Sequence, residues 1–224
     1  MKTDSRFATY RDIKEPTLLQ EYHILPRAEQ SHIWSNEFPG SLEDKFIAMK
    51  LDMIDTIRHS NKPVLDFSNC YNEATKFPEN VKNLLETFNV SIICILRDPV
   101  DLLISVLNFM NLSSMIFKKN STVEELEDRL SNPKFDGLVG LPRYSKWLPN
   151  WLELAPDIIL LDYNRLHDIE YVSNTLGFEF QLTIKTSNVT ASKRLQRDKL
   201  DIKLLNTLVN FYAEDKTLID RLKR

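Results

Sequence analysis

The clearest pattern in the chain is residues 90–96 (Val-Ser-Ile-Ile-Cys-Ile-Leu), an apolar run rich in β-branched side chains that stops at Arg97, Asp98 and Pro99. A run this short, bounded by turn residues, predicts a strand covered on both faces, as in a parallel sheet. Ahead of it, Val81, Leu84, Leu85 and Phe88 recur at helical spacing and predict a helix over 80–88. Behind it, Pro99 suits the first turn of a helix, where its missing N–H costs no hydrogen bond, and residues 100–110 carry a broad apolar face. The same unit recurs downstream. Residues 144–154 form an aromatic-rich amphipathic helix with Pro149 as a kink point, Pro156 and Asp157 turn the chain, and residues 158–163 form a second buried strand. Residues 63–67 offer a third, shorter strand. In the tail, Leu200, Leu204, Leu205, Leu208, Phe211 and Tyr212 form a helical stripe expected to pack onto the sheet. Helices separating short apolar strands predict an α/β fold: a parallel sheet flanked by helices, with helix outweighing strand.

Composition sharpens this picture. The chain has 224 residues, 42% of them hydrophobic, enough for a core without disulfide or metal staples, and no linker or repeat divides it. Residues 1–224 therefore read as a single domain. A formal net charge of -3 argues for a small ligand before nucleic acid. The two cysteines, Cys70 and Cys94, stand 24 positions apart with no metal-ligand spacing, which fits a reducing compartment and no structural zinc. Cys94 lies in the apolar run and is expected in the core. No apolar leader opens the chain and no window approaches the ~20 apolar residues of a membrane span, so the sequence reads as cytoplasmic with no membrane partner. Glycine is scarce, with only four residues. Neither GxxxxGK[ST] nor GxGxxG can be assembled from them, so a nucleotide site must be built from other groups.

In open α/β sheets ligands sit outside the carboxyl ends of the strands, which directs attention to Arg97 and to Ser105, eight residues later. A guanidinium fork at the strand end and a hydroxyl two turns into the next helix can converge on one anion. The alternative is that Arg97 pairs with Asp98 or Asp101 in a solvated turn while Ser105 merely packs.

Residues 93–105 (Ile-Cys-Ile-Leu-Arg-Asp-Pro-Val-Asp-Leu-Leu-Ile-Ser) closely resemble the 3′-phosphate-binding motif of sulfotransferases that use 3′-phosphoadenosine 5′-phosphosulfate (PAPS). The second arginine common in that motif is replaced here by Leu102 or Leu103. Further segments resemble the carbohydrate (heparan-type) members in the same order. Lys14-Glu15-Pro16 with Leu18-Leu19 is similar to their Lys-Glu-Pro-x-Phe-Phe segment, and Ser68 and Tyr71 match Gly-Glu-Lys-Ser-Pro-x-Tyr without its lysine. Trp147 and the Asp162-Tyr163-Asn164-Arg165-Leu166 stretch resemble the Trp-x-x-x-Phe-Pro to Tyr-Glu-Asp-Leu unit. Asn188-Val189-Thr190 before Lys193-Arg194 resembles the polar loop that closes over the cofactor, and Tyr212-Ala213-Glu214-Asp215 the terminal Tyr-x-x-Asp helix.

The resemblance implies a P-loop-NTPase-like parallel sheet, PAPS as donor and its bisphosphate (PAP) as product, no metal, and a carbohydrate or small-molecule acceptor reacting through a hydroxyl or amine. It implies Glu15 as general base, Lys14 as charge stabiliser, and Arg97 and Ser105 as 3′-phosphate ligands. Tyr163 would line the adenine pocket, or else be a core tyrosine; Lys193 and Arg194 would meet cofactor phosphates, although Arg194, Arg197 and Lys199 also read as a solvated basic face. The family opens on a strand and a Lys-x-Gly-Thr-Thr loop for the 5′-phosphosulfate, whereas thirteen glycine-free residues precede Lys14. The first strand and loop are thus expected to be missing or degenerate, with Lys2 and Ser5 as a remnant of the loop. The alternative is a catalytically impaired relative that binds adenosine 3′,5′-bisphosphate or a partner. Without the resemblance, Lys14-Glu15 reads as an exposed charged pair before a proline-capped helix. His23 or His32 would be a substitute base, and the four histidines show no metal-ligand pattern.

Overall fold

Two pairs of parallel strands organise the chain. A computed structural model describes residues 8–9, 38–62, 64–65, 78–109, 112–118, 121–179 and 195–223, in two units, Met1–Val90 and Ser91–Arg224, each with one strand pair.

In the first unit, β1 (Ala8–Thr9) pairs in parallel with β2 (Val64–Leu65), Ala8 opposite Val64 and Thr9 opposite Leu65. A two-residue strand stands ahead of Lys14 in the chain. It follows Lys2 and Ser5 in the chain. Parallel neighbours need a long crossover, and this one includes α1 (Leu42–His59). A capping box starts that helix: Ser41 Oγ accepts from the Asp44 N–H at 3.2 Å, and Asp44 Oδ2 accepts from the Ser41 N–H at 3.0 Å. Gly40 precedes it at φ +100°, where a Cβ would meet Asp44 Cβ at 2.8 Å, so glycine is required for the entry. Met49 and Met53, one turn apart on the helix, are buried. Then α2 (Pro78–Thr87) opens on proline and buries Val81, close to the expected span.

In the second unit, β3 (Ile93–Leu96) and β4 (Ile159–Asp162) run parallel, with Ile93 opposite Ile159 and Leu96 opposite Asp162. The expected parallel α/β arrangement is present. Burial of β3 on both faces is not: Leu96 is buried, whereas Ile93 and Ile95 are 45% and 47% exposed. Side chains alternate across a strand, and only the Cys94 and Leu96 face is covered. On that face, burial pushes the Cys94 thiol up to about 12, which leaves it unreactive.

The chain between the strands is helical. It comprises α3 (Pro99–Phe109), α4 (Ser113–Ile116), α5 (Val123–Ser131), α6 (Asp136–Val139) and α7 (Tyr144–Leu154), the last continuing through Pro149. Leu103 and Leu107 of α3, Ile116, Leu126 and Leu130 form one apolar cluster with Val139, Leu208 and Tyr212. After β4 comes α8 (Ile169–Leu176), closed by Gly177 at φ +74°, the left-handed C-terminal position that glycine fills without strain.

The tail differs from its expectation. The tail is two helices, α9 (Ile202–Phe211) and α10 (Ala213–Leu222), with the stripe ending at Tyr212 between them, and Leu204, Leu205 and Leu208 cover the helical cluster rather than the sheet. The insertion between the strands supplies the apolar surface that the stripe needs. At the junction, the Tyr212 hydroxyl donates to the Val139 carbonyl at 2.9 Å. Buried Asp215 accepts from both the N–H and the hydroxyl of Ser145 at 2.7 Å, capping α7, whose own N-cap residue Arg143 makes no side-chain capping hydrogen bond. The Tyr-x-x-Asp segment is thus a clamp between the tail and α7. We expect Asp215→Ala to lower unfolding free energy by about 2–4 kcal/mol, because two donors at a half-buried site lose a charged acceptor. Urea titration should show this as a lower midpoint at constant slope; a loss below about 1 kcal/mol would refute the capping role.

Candidate functional site

Because β3 and β4 end level, the residues leaving them emerge side by side, and the Arg97 guanidinium lies over the Tyr163 ring, 4.2 Å from its centroid. Each strand's exit is tied to a tyrosine hydroxyl. The Arg97 N–H donates to Tyr144 Oη at 3.2 Å, and the Asp162 N–H to Tyr171 Oη at 2.8 Å. Burial holds the Tyr144 phenol well above the usual tyrosine range, so its oxygen stays protonated. Asp162 is partly buried, which raises its pKa, but Lys223 at 2.8 Å and the Asn164 N–H outweigh this and hold the carboxyl below its ordinary value.

At the start of α3, Asp98 Oδ1 accepts from the Val100 and Asp101 N–H groups at 3.0 and 3.2 Å, satisfying amides left free by the first turn. Two turns later, Ser105 shares with Arg97 the wall of an open pocket of about 380 Å³. Asp101, Ile104 and Asn108 complete the α3 side, and Gln196, Arg197 and Asp198 form the other. The volume suits a small ligand.

The far side is held at two points. Asn108 donates from Nδ2 to the Leu195 carbonyl at 2.8 Å and accepts at Oδ1 from the Leu195 N–H at 3.1 Å. Arg197 Nη1 donates to Asp98 Oδ1 and Asp101 Oδ1, both at 3.0 Å. Burial works against the Arg197 charge, but hydrogen bonding and attraction from Asp101 and Asp98 raise its pKa above the ordinary value. Arg197 is therefore no part of a solvated basic face. Its pairing also displaces the alternative for Arg97, since the carboxylates proposed for Arg97 belong to Arg197. Among the described residues the Arg97 guanidinium meets no carboxylate and Ser105 Oγ has no hydrogen-bond partner. Among the described residues the arrangement offers an anion one guanidinium without a carboxylate partner and one hydroxyl without a hydrogen-bond partner in a shared cavity.

Tyr163 is 43% exposed, so it is not a core tyrosine. Lys2, Ser5, Lys14, Glu15, Lys193 and Arg194 lie outside the described residues, as do His23 and His32. Among the described residues no group of three His, Cys, Asp or Glu side chains is placed to hold a metal, and no helix is long and apolar enough to cross a membrane. Sequence reasoning did not single out Arg197, Asn108 or Tyr144 for this site. One signal was readable for the first: Asp98 and Asp101 stand three apart with no basic residue at the following helical positions, which leaves two carboxylates without a local cation.

The fold and site define an α/β protein whose pocket, at the carboxyl ends of parallel strands, is built from side chains rather than a glycine-rich loop. The sequence pattern of the sulfotransferase domain matches residues 5–170, well over half of the chain, and the protein belongs to that family. No curated protein and no solved structure matches it.

Proposed function

We propose that this chain transfers a sulfuryl group from PAPS to a hydroxyl or amine of a carbohydrate or small-molecule acceptor, in the manner of the heparan-type sulfotransferases, and releases PAP. The observation that carries the reading is the Arg97 guanidinium, stacked on Tyr163 and sharing a pocket with the Ser105 hydroxyl, both without a polar side-chain partner among the described residues. These groups fit a 3′-phosphate: the guanidinium supplies charge and a planar fork, and the hydroxyl adds a donor. Tyr163 presents an exposed aromatic ring at the strand end, suited to stacking on an adenine. Lys193 and Arg194 come just before the anchored Leu195 in sequence and add positive charge for the phosphates.

When bound, PAPS supplies a sulfuryl group on an activated phosphosulfate. Sulfuryl transfer places charge on equatorial oxygens, so the protein's work is positioning and charge stabilisation. In this reading Lys14 stabilises that charge and Glu15 takes the acceptor's proton.

The test is ligand discrimination. Adenosine 3′,5′-bisphosphate at 100-fold over its Kd should stabilise the fold by about 2.7 kcal/mol through mass action, and adenosine 5′-phosphate at the same concentration by much less. Equal shifts of the melting temperature, or no shift with either, would reject the assignment of Arg97 and Ser105.

A further inference from the structure

Asp98 and Asp101 create a difficulty for any anion held at Arg97 and Ser105. Asp101 sits on the first turn of α3, in the pocket wall itself, and Asp98, just before the helix, is fixed there because it caps it. Unscreened, they would repel a phosphate across a short distance of protein. Arg197 answers both with a single nitrogen, and it comes from a segment nearly a hundred residues further along the chain. Among the described residues that segment pairs with no strand. Asn108 substitutes for one, its amide meeting the Leu195 carbonyl and N–H as a neighbouring backbone would. Leu195 and Arg197 are thus fastened to the same face of α3, with Gln196 left to face the cavity.

We propose that Arg197 is a positioning residue that neutralises Asp98 and Asp101 so that Arg97 and Ser105 can hold an anion, and that Asn108 keeps Arg197 in place by gripping the Leu195 backbone. The anionic ligand rests on the function proposed above; the latch itself does not. Two consequences separate neutralisation from direct contact. Charge alone is required at position 197, so lysine serves nearly as well as arginine. Removing one of the carboxylates relieves the need for Arg197, whereas a lost contact to the ligand could not be recovered that way.

The experiment uses the full chain and has two arms. In the first, calorimetry with adenosine 3′,5′-bisphosphate compares wild type, Arg197→Gln, Arg197→Lys and the double variant Arg197→Gln, Asp101→Asn. Arg197→Gln should weaken binding about tenfold or more, the double variant should regain most of that, and Arg197→Lys should stay within a few-fold of wild type. A double variant as weak as Arg197→Gln, with Arg197→Lys equally weak, overturns the proposal in favour of direct contact. In the second arm, without nucleotide, hydrogen exchange at the Leu195 amide should accelerate at least about tenfold in Asn108→Ala and in Arg197→Gln. Unchanged exchange in both single variants overturns the latch, whatever the nucleotide result. Wild type that shows the exchange pattern but binds no bisphosphate supports the latch and refutes the ligand assignment, so the two ideas fail separately.

Discussion

With Arg97 replaced by alanine, adenosine 3′,5′-bisphosphate and adenosine 5′-phosphate should bind alike, the first having lost about 10²- to 10³-fold in affinity. The size follows from losing a two-pronged, charge-assisted contact to a phosphate, about 3–4 kcal/mol at a partly desolvated site. The fold should tolerate the change. The Arg97 side chain has no carboxylate partner among the described residues, its stacking on exposed Tyr163 is worth about 0.5–1 kcal/mol, and its backbone bond to Tyr144 survives substitution. Arg197 remains to neutralise Asp98 and Asp101. Arg97→Lys should recover part of the loss, since an ammonium keeps the charge and lacks the fork. The measurement is calorimetric titration of each variant with both nucleotides; a bisphosphate preference that persists in Arg97→Ala would place the 3′-phosphate elsewhere.

Turnover, rather than binding, should respond to Glu15→Gln. If Glu15 is the base, the amide keeps the shape, leaves the 3′-phosphate contacts untouched and removes the proton acceptor, so bisphosphate affinity stays nearly constant while kcat falls by ~10²–10⁴-fold. A carboxylate that only caps a helix would instead lower stability by ~1 kcal/mol and spare the rate. Transfer of labelled sulfuryl from PAPS to a panel of sugars, phenols and amines, with both proteins side by side, distinguishes the two. Equal transfer would make Glu15 a bystander and His23 or His32 the next residue to replace. Tight bisphosphate binding by wild type with no transfer to any acceptor would favour an impaired relative.

The parts of the fold legible in the sequence were those governed by neighbours in the chain. The β-branched run into Arg97-Asp98-Pro99 specified β3, its sharp end and the proline-led start of α3, and the aromatic spacing from Tyr144 specified α7 with the bounds expected. The capping box at Ser41 and Asp44 was equally local, yet α1 went unread, because its apolar positions include exposed Ile47 and Leu51 and so draw no single stripe. Exposure of Ile93 and Ile95 could not be read, since composition reports that a strand is apolar and not how many of its faces find cover. The site divides the same way. Arg97 and Ser105 share a helix and a strand end, so their spacing could be weighed. The ownership of Asp98 and Asp101 was settled by Arg197, a partner outside any local window. The surface reading of Arg197 failed because charge patterning along one stretch carries no information about carboxylates delivered by another.

That long-range assembly also sets when the pocket can exist. Its wall is written in two stretches whose joining bonds, Asn108 to Leu195 and Arg197 to Asp98, span 87 and 99 positions. Loop closures of that length precede any energetic return, which makes such contacts slow to form. During synthesis at about 5–20 residues per second, a nascent chain carrying Arg97 and Ser105 waits for the Leu195 to Arg197 segment to emerge before the site can close. Until then Arg197 is not there to meet Asp98 and Asp101, and the unfinished protein is poorly suited to hold an anion beside them.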